Sequence, residues 1–151
     1  MDISLKSVKI AKFASEETTC FQATVYLDGK RALTASNDGR GGSNRYDGDT
    51  TALDAYANTL PPVAFGMGMS GEFTPDADWV VGIALTRWQV ENDLKRKIYA
   101  LMEKQVYEWN VKPTIENIGK VCKSNNIDMA DVINIMPIDD AVRLLSSECF
   151  A

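Results

Sequence analysis

Between Ile3 and Ala35 apolar and polar residues alternate: Leu5, Val8, Ile10 and Phe13, then Phe21, Ala23, Val25 and Leu27. The period of two from Phe21 to Leu27, and the looser alternation before it, rich in β-branched and aromatic types, predict strands with one buried face. Asp28-Gly29 falls between two such runs and supplies the positive φ that a two-residue type I′ turn requires. The pattern predicts a three-stranded meander with strands near 4–13, 19–27 and 30–36. The polar run Ser15-Glu16-Glu17-Thr18-Thr19 makes its first connection.

Further along, Leu53, Tyr56, Ala57 and Leu60 share one face of a helix over 50–58 that Pro61-Pro62 ends. Residues 63–73, where glycines interleave with methionines, read as an irregular loop or a glycine-weakened strand. Thr74-Pro75-Asp76-Ala77-Asp78 has the order of a helix start, with a hydroxyl cap, proline at the first position and acids in the first turn. Val80, Ile83, Ala84, Val90, Leu94, Ile98 and Leu101 then predict one long helix over 75–102, a rod of roughly 40 Å at ~1.5 Å per residue. An alternating aromatic strand over 105–111 follows, and then three short helices over 114–123, 128–135 and 137–147. These elements predict a single α+β domain over 1–151. It is an N-terminal antiparallel β-meander packed against a long central helix, with short C-terminal helices.

Composition narrows the chemistry. The chain has 151 residues, is 45% hydrophobic and 25% charged, and has no long apolar run or leader pattern, which predicts a soluble, cytoplasmic protein without a membrane partner. Cys20, Cys122 and Cys149 are odd in number and lack CxxC spacing, so neither a disulfide framework nor a zinc knuckle is expected. The sequence contains no histidine, which removes the commonest general base and zinc ligand. A net charge of −5 repels phosphate at long range and disfavours nucleic acid as a partner. No cofactor is expected.

The segment with most polar chemistry is "SNDGRGGSNRYDGD", residues 36–49, which holds four of the ten glycines. Asp38, Asp47, Asp49 and Asp54 could gather round a hard cation, but the EF-hand register fails at Arg40 and Gly42 and no glutamate closes the loop. Gly39, Gly41 and Gly42 could aim amides at a phosphate beside Arg40 and Arg45, with Thr50 opening a helix, yet the P-loop spacing is missing. The plain reading is a strand-to-helix connection, because turns by themselves enrich Gly, Asn and Asp. Between these lies a recognition loop that uses Asp38, Arg40, Arg45, Tyr46 and Asp47. Met67 and Met69, with Phe65 and Phe73 and spaced by glycines, form either a second candidate contact surface or buried filling under the long helix. Arg87, Lys95 and Arg96 on the long helix could hold a nucleic-acid strand, or form a solvated face with Glu91 and Lys95 as an i, i+4 pair. The stretch "TIENIGKVCKSNNIDMADVINIM" has helix-turn-helix spacing, but its second helix carries Asp128 and Asp131 and no lysine or arginine.

The stretch "VKIAKFASEETTCFQATVYLDGKRALTASNDGRGG" resembles a family of small uncharacterised proteins from phages and other bacterial mobile elements. Those proteins share the Ser-Glu-Glu-Thr turn, a Cys-Phe strand, a hairpin ending in Asp-Gly-Lys and an Asn-Asp-Gly-x-Gly-Gly loop. "DLKRKIYALMEKQVY" and "VINIMPIDDAVRLL" are similar to later blocks of the family, and together the blocks cover nearly half of the chain. Family members often carry histidines around the glycine-rich loop, where Arg40 and Tyr46 stand here. The resemblance implies a phage or mobile-element setting and a fold. Together with the acidic balance, the absent histidine and the lack of a catalytic signature, it leads to the expectation of a non-enzymatic protein that docks on a bacterial host protein, with a component of an anti-phage defence system as one such target. A nucleotide- or nucleic-acid-binding module and a carboxylate-dependent metal enzyme are the alternatives. A homodimer through the long helix stays open.

Overall fold

The computed structural model describes residues 1–64 and 70–149 and divides the chain into two compact units, Met1–Leu85 and Thr86–Ala151. The first unit is built on the meander. β1 (Ile3–Ile10), β2 (Phe21–Leu27), β3 (Lys30–Asn37) and the short β4 (Arg45–Asp47) form an antiparallel sheet in chain order. β2 and β3 turn at Asp28-Gly29, whose φ values of 48° and 76° are those of the expected type I′ hairpin. β1 is an edge strand broken by a bulge between Lys6 and Lys9, with Ser7 at φ 51°. A bulge and two lysines are features that keep an open edge from pairing with another chain.

Every second residue of β2 and β3 faces the core: Phe21, Ala23 and Val25, then Leu33 and Ala35. Against them pack Leu53 and Ala57 from α1 (Thr51–Ala57), and Ala77, Val80, Val81, Ala84 and Leu85 from α2 (Ala77–Leu94), the longest helix. Leu53 is fully buried, and burial of a side chain of that size contributes roughly 1.5–3 kcal/mol. The expected α+β architecture is present, with the meander against helices and shorter helices toward the C-terminus. Between α1 and α2, β5 (Val63–Ala64) pairs with β6 (Glu72–Phe73). Phe65, Met67 and Met69 lie outside the described residues.

Three expectations about the elements fail, the third of them in the second unit. β1 ends at Ile10 and the chain turns through a 3-10 segment, Lys12–Ala14, so Phe13 leaves the apolar face and is 94% exposed. The long helix stops at Leu94 instead of continuing to Met102. Ile98–Met102 is a strand, β7, hairpinned to β8 (Gln105–Trp109) through Glu103 and Lys104, both at positive φ. The helical spacing of Ile98 and Leu101 was misleading because Ile98, Tyr99 and Ala100 are all buried, and a strand covered on both faces loses its period of two.

In the second unit α3 (Ile115–Asn125) opens on Thr114, whose hydroxyl accepts from the amide of Asn117. The helix expected over 128–135 is instead two 3-10 turns, Met129–Asp131 and Ile133–Ile135, before α4 (Ile138–Cys149). The helix-turn-helix spacing therefore places one α-helix and two short turns. Asn134 organises this unit. Its amide nitrogen donates to the carbonyls of Leu94 at 2.9 Å and Lys97 at 2.7 Å, and its oxygen accepts from the amide of Tyr99 at 2.7 Å. One side chain thus closes the end of α2 and starts β7.

Candidate functional site

The glycine-rich segment runs from the end of β3 through β4 to α1, and a buried side chain holds its first half. Asn37, 8% exposed at the last position of β3, uses all its polar capacity. Its oxygen accepts from the Thr18 hydroxyl and the Gly39 amide, each at 2.8 Å. Its nitrogen donates to the Gly42 carbonyl at 2.8 Å and to the Asn44 side chain at 3.1 Å. A buried amide with every partner in place specifies one loop conformation.

The Ser-Glu-Glu-Thr turn closes over the same loop. The amides of Glu16, Glu17 and Thr18 converge on the Gly39 carbonyl at 3.0, 2.9 and 3.2 Å. Gly39 sits at φ +84°, and a Cβ there would lie 2.0 Å from the Ala14 carbonyl oxygen. Only glycine fits, because both the backbone conformation and the space exclude a side chain. The Ser-Glu-Glu-Thr turn and the Asn-Asp-Gly-Arg-Gly-Gly loop are therefore parts of one assembly, joined by a contact across 19 residues between Thr18 and Asn37.

The second half is anchored on α2. Asp78, in its first turn, accepts from the Asn44 amide at 3.0 Å and from the Tyr46 hydroxyl at 2.7 Å. Burial, followed by the hydrogen bond to Asp78, pushes the Tyr46 phenol well above its ordinary range. Tyr46 is thus fixed as a neutral donor. Asp49 accepts from the Thr51 hydroxyl and amide, which hold its carboxyl below the usual range, and it supplies the side-chain cap of α1 where Thr50 does not.

The structure sorts the expected site residues. Asp38 and Arg45 are exposed and paired at 3.1 Å, while Arg40 and Asp47 are exposed on the same segment, Arg40 without an ion-pair partner among the described residues. Tyr46 is half-buried and faces Asp78 rather than solvent. The Gly39 and Gly41 amides, which a phosphate cradle would aim at an anion, donate to Asn37 and Thr18. Among the described residues, no three carboxylate or thiol side chains gather as metal ligands. On the helix face, Arg87 is engaged by Glu91 at 3.2 Å and Asp139 at 2.6 Å, and Asp139 raises its pKa most. Arg96 pairs with Asp93 at 2.6 Å, while Lys95 is exposed.

Sequence reading missed Thr18, Asn37 and Asp78, which hold the loop, and Phe13 beside it. A lone asparagine ending a strand and a lone acid in a helix's first turn carry no local signal of a partner 19 or 32 residues away. The chain matches no protein-family model, no curated protein and no solved structure.

Proposed function

We propose that the protein is a non-enzymatic recognition protein of a phage or mobile element that docks on a bacterial host protein, as an inhibitor of a defence system. The contact surface is the segment from Asp38 to Asp47. The observation that carries this reading is the division of labour within the loop. Asn37, Thr18 and Asp78 bond its backbone and Tyr46 inward, while the charged side chains of Asp38, Arg40, Arg45 and Asp47 remain exposed. A preformed polar loop binds without a large ordering cost, which favours specific recognition. The family resemblance supports the phage setting and the host partner, and the absence of histidine favours recognition over acid-base chemistry.

The test is capture from a host-cell lysate by the full chain and by a variant carrying R40E, R45E and D47K. All three positions are exposed, so the variant should melt close to the parent. The reading expects a protein retained by the parent and lost by the variant. An identical set of retained proteins would remove the loop from the account.

A further inference from the structure

Phe13 points into solvent at 94% exposure, on a segment that is itself firmly held. The Ala14 amide donates to the Ala11 carbonyl at 3.0 Å, and the Ser15 hydroxyl donates to the same carbonyl at 3.0 Å. That hydroxyl also accepts from the Cys20 amide at 2.9 Å, while the Ala11 amide donates to the Cys20 carbonyl at 3.0 Å. One residue after Phe13, the Ala14 carbonyl lies against Gly39. A phenyl ring is thus displayed on a cross-braced turn that forms one body with the glycine-rich loop.

Hydrophobic burial gives this ring no role in the fold, since nearly all of its surface stays in water. Large aromatic side chains on fixed backbone are the usual anchors of protein interfaces, because they bury much area and lose little freedom on binding. The charges beside it select the kind of pocket. Lys12 and Arg40 are exposed and have no ion-pair partner among the described residues. A phosphate backbone could meet those two cations, but it would also face the exposed carboxylates of Glu16, Glu17 and Asp38 on the same two segments.

We propose that Phe13 is the apolar anchor of the docking surface, and that it enters an apolar pocket of a partner protein whose rim is of mixed charge, with carboxylates opposite Lys12 and Arg40 and basic groups opposite Glu16 and Glu17. This inference rests on the recognition reading of the loop and adds to it the chemistry of the partner.

The experiment places a photo-crosslinking benzoyl-phenylalanine at position 13 of the full chain. The protein crosslinked from host lysate is identified, purified and titrated against the parent and single variants. F13S should weaken binding by about 30-fold or more, F13L should keep part of it, and K12E and R40E should each weaken it. F13S should melt with the parent, as expected for a ring that packs on nothing. If F13S binds like the parent while the R40E, R45E and D47K variant does not, the anchor is wrong and the loop reading stands. If neither variant changes binding, both fail. Binding of phosphatidylglycerol vesicles by the parent that F13S abolishes would assign the ring to a membrane and overturn the proposal. Crosslinking only to nucleic acid would overturn it as well.

Discussion

The Tyr46 hydroxyl donates to Asp78 at 2.7 Å, joining the last short strand of the sheet to the first turn of the long helix. Asp78 also accepts from the Asn44 amide, so one carboxylate fixes the outgoing half of the glycine-rich loop. Y46F should cost about 1–2 kcal/mol by urea unfolding, and D78A should cost more because it leaves two donors without their acceptor. Equal costs for the two variants would show that the Asn44 contact contributes nothing.

Alkaline stability follows from the same pair. The phenol's pKa is raised in the folded state, above an ordinary value of 10.0. The stabilisation is therefore complete below pH 10 and is lost as pH rises toward the folded value, because the unfolded chain gives up its proton first. Y46F should flatten the fall in stability above pH 10. Part of the slope should remain, since burial and the nearby Asp93 and Glu108 also raise Tyr99. Unfolding midpoints from pH 8 to pH 11 measure this, and parallel curves for parent and Y46F would contradict it.

Two glycine substitutions separate backbone strain from steric exclusion. Gly29 and Gly39 have similar positive φ values, +76° and +84°, but a Cβ at Gly29 meets nothing within 4 Å. G29A should cost roughly 1–2 kcal/mol, the penalty of the left-handed conformation alone. G39A should cost about 3 kcal/mol or more, because the Ala14 carbonyl must also move. Comparable losses in thermal unfolding would mean that the two turns are not pressed together.

Asn134 should be as important to the second unit as any core residue. N134A removes three hydrogen bonds and leaves the Tyr99 amide without its acceptor, at a cost of about 2–3 kcal/mol. The specific readout is faster hydrogen exchange at the Tyr99 amide. Unchanged exchange there would show that the amide is protected by burial alone.

Local chemistry made part of this molecule legible in the sequence. Asp28-Gly29 announced its hairpin, and the alternation from Phe21 to Ala35 the buried face of the sheet. What escaped depends on contacts distant in the chain. Ile98 and Leu101 keep helical spacing, yet Asn134 ends the helix from 40 residues away. Phe13 reads as the next apolar position after Ile10, yet the turn that Ser15 braces takes it out to solvent. The glycine-rich stretch drew notice by composition, while the residues that order it were an unremarked asparagine, threonine and aspartate.

Recognition through this surface requires that the glycine-rich segment be ordered before any partner arrives, and hydrogen exchange of the free protein, read amide by amide, decides it. The amides of Glu16, Glu17, Thr18, Gly39 and Asn44 all donate within the assembly and should exchange well below random-coil rates. N37A should release the protection at Gly39 first, because Asn37 is its acceptor. Exchange of these amides at random-coil rates in the parent protein would contradict the account, because a loop that orders only on binding cannot be a preformed recognition surface.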